Sequence, residues 1–315
     1  MKKIKLLIFS CILLFLFSCD EDFNPYGDYQ EKYAFTCILK NNENFQTATL
    51  FRSYLTPPSD PSVIGADIRI WYNDSVFVFR DSSVARNDTS RYTTPLSFYY
   101  SDQFSVDYNK SIELEVLLPN GKRLRSYSVT PRKFNFDNES EVLVPPVSSD
   151  IVQISWDALE TGIYFSSNFT IRYRQNVNGV IIEKTKIVPL KYIEQDSELT
   201  PVYPSPIASP VIIYQLSAIS KALEEISEGD PNKNNFSVLQ KITFSVTAYD
   251  LPVSKYISST GGSFDDLTVS VDVADYTNIE GGFGLFGSYS ERDYTRLRFL
   301  QSYIESFGYN FISEN

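Results

Sequence analysis

The sequence predicts an all-β protein of two β-sandwich domains, with a short helix in an insertion and a second helix at the C terminus. Three observations predict it. Short apolar runs alternate with polar residues at a period of two, and turn signals separate them. The chain holds 22 tyrosines and 23 phenylalanines beside many β-branched residues, a composition that suits half-buried strands. Helical spacing recurs in only two stretches, after Leu216 and after residue 292.

The N terminus comes first. Lys2, Lys3 and Lys5 precede an apolar run from Leu6 to Phe17. A charged segment followed by about a dozen apolar residues reads as a secretory signal over residues 1–18. The run is shorter than the roughly 20 residues that a spanning helix needs. Leu16-Phe17-Ser18-Cys19 resembles a bacterial lipoprotein box, with Phe17 bulkier than usual. That resemblance implies lipidation at Cys19. Asp20, Glu21 and Asp22 follow directly. They resemble the export signal that carries Bacteroidota lipoproteins to the outer face of the outer membrane. Residues 19–31, with Asn24, Pro25 and Gly27, read as a tether.

Charge and cysteine content narrow the function. Cleavage after residue 18 removes three lysines and no acid, taking the net charge from −11 to −14. So acidic a body is a poor nucleic-acid binder, because phosphate contacts rest on Lys and Arg. With Cys11 cleaved and Cys19 lipidated, Cys37 has no disulfide partner. It lies in an apolar strand-like run and reads as a buried hydrophobe. The chain contains no histidine. That excludes histidine-dependent nucleophile pairs, histidine general bases and histidine-ligated metals. No catalytic, cofactor or metal residues are assigned, and the reading is non-enzymatic.

Residues 32–135 form the first expected domain. "YAFTCILK", "QTATLFRSYL", "GADIRIWY", "SVFVFRD", "SIELEVLLP" and "KRLRSYSVTP" alternate in strand fashion. Asn73-Asp74 and Asn120-Gly121 mark hairpins. About seven strands in about 100 residues argue an immunoglobulin-like sandwich. Residues 145–275 form the second. Val152, Ile154 and Trp156, then Tyr173, then Phe244, Val246 and Ala248 resemble a fibronectin type III domain in their order. Phe244 stands where that family usually has a tyrosine. An insertion over about 194–236 separates Tyr173 from Phe244. Within it, Glu194 to Pro210 reads as a loop, and Leu216, Ile219, Leu223 and Ile226 recur at helical spacing. Residues 276–315 read as a glycine- and aromatic-rich loop, then a helix over 292–307.

Gly282-Phe-Gly284-Leu-Phe-Gly287 matches a dinucleotide fingerprint in letters. It lacks the parallel strand–turn–helix setting that the chemistry needs. Asp230 to Lys241 fails as a calcium loop, with Asn235 for glycine and Lys241 for glutamate. Asp265, Asp266, Asp272 and Asp275 read as a solvated strand edge, with an oxygen-ligand cation site as the alternative. Asp74-Ser75-Val76 resembles a short Bacteroidota O-glycosylation motif, which makes Ser75 a candidate acceptor.

"YTNIEGGFGLFGSYS", "GADIRIWYND", "LPNGKRLRS" and the lipobox together resemble an uncharacterised family of Bacteroidota outer-membrane lipoproteins. Genes of that family often neighbour those of TonB-dependent transporters. The resemblance implies a lipid-anchored, outward-facing protein, with a TonB-dependent transporter as partner. It implies no reaction. An adhesin-like module binding glycan or protein through sandwich loops is the main alternative. A carboxylate-dependent hydrolase is a more distant one.

Overall fold

The computed structural model describes residues 30–53, 60–89, 93–138, 140–195, 198–260 and 276–314. The expected all-β sandwich architecture is present. The first half holds β1 (Tyr33–Lys40), β2 (Gln46–Arg52), β3 (Asp67–Tyr72), β4 (Ser75–Val84), β5 (Leu96–Ser101), β6 (Ser111–Leu117) and β7 (Arg123–Val129). One layer runs β1-β2-β5 and the other β3-β6-β7. β4 serves both, since Ser75–Phe79 pairs with β3 and Arg80–Val84 pairs with β5. One strand thus changes sheets between the two layers of the sandwich. Strict alternation drives the layering: β1 and β6 bury every second residue. Phe35, Leu39, Ile68, Ile70, Ile112 and Val116 fill the space between the layers. Each such side chain contributes roughly 1.5–3 kcal/mol.

The second half is built around β9 (Ile151–Ser155), β10 (Phe165–Val177), β11 (Val180–Ile187), β14 (Val211–Gln215) and β16 (Thr243–Tyr249). β9 pairs with β14 in one layer. The facing layer places β10 between β11 and β16. Val152 and Ile154 lie on β9, Tyr173 on β10, and Phe244, Val246 and Ala248 on β16. Phe244 is fully buried and meets Phe169, Tyr214 and Phe136 edge-on, so packing replaces a tyrosine's hydroxyl bond. Helix α1 (Leu216–Glu225) forms at the expected spacing and buries Ala218, Ile219, Ala222 and Leu223. Short strands β8 (Val142–Val144), β12 (Lys191–Gln195), β13 (Glu198–Val202) and β15 (Phe236–Leu239) complete the body up to β16.

Three expectations are corrected. The stretch Glu194 to Pro210 contains β13, which pairs antiparallel with β12, Thr200 opposite Ile193. The glycine-rich segment forms a long strand, β17 (Phe283–Asp293). Its first half pairs in parallel with β1 and its second half antiparallel with β16. It thereby joins both halves in a 13-stranded sheet. Gly284 has φ +111°, and a Cβ there would meet the Phe35 carbonyl oxygen at 2.0 Å. A Cβ on Gly287 would meet Val253 at 2.6 Å and the Asp250 carboxylate at 2.8 Å. These glycines let a strand approach backbone on one side and a helix on the other. Leu285 and Phe286 are buried, while Phe283 remains partly exposed at 38%.

The third correction concerns the C terminus. Its helix is α3 (Gln301–Ser306), shorter than 292–307. Leu297 and Phe299 belong to β18 (Leu297–Phe299), paired in parallel with β8. β19 (Asn310–Ile312) then pairs in parallel with β15. An unanticipated helix, α2 (Leu251–Ser259), follows β16.

Candidate functional site

The structure brings together two features that no single sequence motif contains. The first lies where the two sandwiches meet. Asp250 is 1% exposed and is the only buried acid or base among the described residues apart from Cys37 and tyrosines. It caps α2: Oδ1 accepts from the Val253 N–H at 3.0 Å. Oδ2 accepts from the Ser128 hydroxyl of β7 at 2.6 Å. It also accepts from Ser288 of β17, at 2.6 Å from N–H and 3.0 Å from the hydroxyl. Burial pushes this carboxyl up to about 7, and the four hydrogen bonds pull the other way without prevailing. One carboxyl thus ties both sandwiches to the shared strand. Beside it lies a mainly apolar cleft of about 290 Å³ lined by Tyr127, Val129, Leu159, Ile163 and Leu251. The signal was legible in Asp250 and Pro252, an N-cap followed by a first-turn proline.

The second feature is a groove of about 660 Å³ on the outer face of β3, β6 and β7. Strand register sets its contents. Trp71, Glu113 and Tyr127 lie side by side across the three strands. Arg69, Glu115 and Arg125 form the next row. Adjacent strands are about 4.8 Å apart, so the two aromatic positions stand about 10 Å apart with a carboxylate between them. Beyond β7, Glu280 extends the wall through paired main-chain bonds with Arg125, at 2.8 and 3.1 Å. Glu115 is held by Arg125 at 3.2 Å and Arg123 at 3.5 Å. Glu113 and Glu280 make no ion pair or side-chain hydrogen bond among the described residues. Tyr127 is 54% exposed. In the sequence these residues were only the polar-facing half of an alternating pattern.

The residues singled out from sequence fall as follows. Cys19, Asp20, Glu21 and Asp22 lie outside the described residues, as do Asp265, Asp266, Asp272 and Asp275. Ser75 is exposed at the start of β4, after a turn in which Asn73 and Asp74 have φ of 48° and 58°. An enzyme could reach it there. Cys37 is 1% exposed, and burial pushes its thiol far up. Asp230 is occupied by its own loop, accepting from the Asn232 N–H at 2.9 Å and the Asn235 amide at 3.0 Å. Among the described residues no cluster of three or more His, Cys, Asp or Glu surrounds a common point. No described helix is long and apolar enough to cross a membrane.

No protein-family model matches the chain, and comparison with curated proteins finds no match.

Proposed function

We propose that this chain is a lipid-anchored outer-membrane protein, held through Cys19 and facing the cell exterior. It displays its two sandwiches as a non-enzymatic binding or accessory module beside a TonB-dependent transporter. One observation carries the reading of the body. Because β17 belongs to both sheets, the sandwiches form one continuous surface. That suits a platform for docking. The groove in this surface is open, and the one buried carboxylate among the described residues is already occupied by hydrogen-bond donors. The charged signal, apolar run and cysteine at 19 support the anchor, and Asp20-Glu21-Asp22 supports outward export. Two or three lipid chains, at roughly 0.8 kcal/mol per buried CH₂, give stable attachment.

The test is a fatty-acid analogue fed to cells. Wild-type protein is expected to take up label and sediment with outer membranes, while Cys19→Ser does neither. Replacing Asp20, Glu21 and Asp22 with alanine is expected to remove the protein from the reach of external protease. An unlabelled wild-type chain overturns the anchor. Crosslinking in intact cells that recovers no transporter overturns the partner. The groove favours a second reading, an adhesin-like module binding an external ligand; a ligand bound without transporter association selects it.

A further inference from the structure

We infer that the groove across β3, β6 and β7 is a recognition site for a basic segment of a partner polypeptide. The inference rests on the binding-module reading and does not depend on the anchor or the transporter. Size, aromatic character and charge agree on the occupant.

A volume of about 660 Å³ exceeds a single ammonium group severalfold and fits a stretch of a few residues. Trp71 and Tyr127 supply aromatic surface of the kind that attracts Lys and Arg side chains. The lining holds three glutamates, Glu113, Glu115 and Glu280, against one arginine, Arg125. Arg125 is spent on Glu115, so Glu113 and Glu280 are the free charges. Any occupant that covers them strips their water. A neutral ligand leaves two carboxylates uncompensated, which is unfavourable. An acidic ligand adds repulsion. A basic one supplies the missing partners, and Glu113 between two aromatic positions makes ion pairing and cation–π contact simultaneous. The indole N–H of Trp71 also has no partner among the described residues and can donate to a peptide carbonyl.

The chain contains two tryptophans, Trp71 in the groove and Trp156 buried in the second core, so emission reports the site directly. The full-length protein in detergent would be titrated with four probes: Ac-Lys-Ala-Lys-Ala-Lys-NH₂, the same peptide with glutamates, spermidine, and maltohexaose. The lysine peptide is expected to change the emission saturably, and Trp71→Phe to abolish the change. By calorimetry, Glu113→Gln with Glu280→Gln is expected to weaken the peptide about tenfold, as loss of two partly desolvated pairs implies. Both sites are exposed, so an unchanged urea midpoint verifies the fold. A silent lysine peptide overturns the site. Unchanged affinity in the double variant overturns the charge argument. Spermidine binding as tightly as the peptide, or maltohexaose binding in its place, overturns the polypeptide assignment. Lost labelling at Cys19 with peptide binding intact would fault only the anchor.

Discussion

Asp250→Asn tests the junction most directly. Oδ2 accepts from the Ser288 N–H and Oδ1 from the Val253 N–H. Both donors are main-chain groups that cannot turn away. Asparagine has one side-chain oxygen, so one of these N–H groups faces an NH₂ whichever way the amide lies. A buried donor left unmet costs about 1–3 kcal/mol. The wild-type carboxyl carries a second effect. It is held near 7 in the fold against an ordinary value of 3.8. Between those values the folded protein keeps a proton that the unfolded chain has released. Stability therefore falls as pH rises through this window and is flat on either side of it. At about 1.4 kcal/mol per pH unit, the fall is on the order of 4 kcal/mol. The Ser128 and Ser288 hydroxyls can switch from donor to acceptor, so the protonated acid keeps its partners. Urea denaturation of both proteins from about pH 4 to about pH 8.5 reads the difference, cancelling the other carboxylates. The wild type is expected to lead at the acid end and the two curves to cross before the alkaline end. Parallel curves, or a wild type that gains on the variant as pH rises, would refute the reasoning.

Ser128→Ala removes one donor to the same carboxylate. It should raise the Asp250 pKa further and cost about 1.5–3 kcal/mol above pH 7, less below pH 5, by the same denaturation series. Gly284→Ala forces a Cβ against the Phe35 carbonyl and should cost more than about 3 kcal/mol, with amide exchange in β1 accelerating first. Cys37 should resist iodoacetamide in the native protein and react once urea exposes it, so labelling below the unfolding midpoint would contradict its burial.

Much of the fold was legible where local chemistry and tertiary context agree. Asn73-Asp74 turns with positive φ as a hairpin requires, and α1 forms where Leu216, Ile219 and Leu223 recur. Reading failed where context overrides local preference. Gly284 and Gly287 look like loop punctuation, yet they lie in a strand pressed between β1 and α2. Leu297, Leu300 and Ile304 have helical spacing, but Leu297 is drawn into pairing with β8 and only Ile304 is helical. The groove has no signature in the linear sequence. Its residues come from three strands and the segment around Glu280, and only register places them together. Cys19 and its acids carry the opposite balance, readable as letters and lying outside the described residues.

The pairing of β1 with β17 ties the beginning of the folded body to its end. Synthesis runs from the N terminus, so the front sandwich emerges long before the strand that closes its flank. Its completion is a late event, set by the arrival of the final residues rather than by the speed of local hairpins. During that interval the unclosed flank of Tyr33–Lys40 can capture strands of other chains. Loss of the last few dozen residues would leave two unfinished sandwiches instead of one intact domain and one missing, so damage at the tail is felt across the whole molecule.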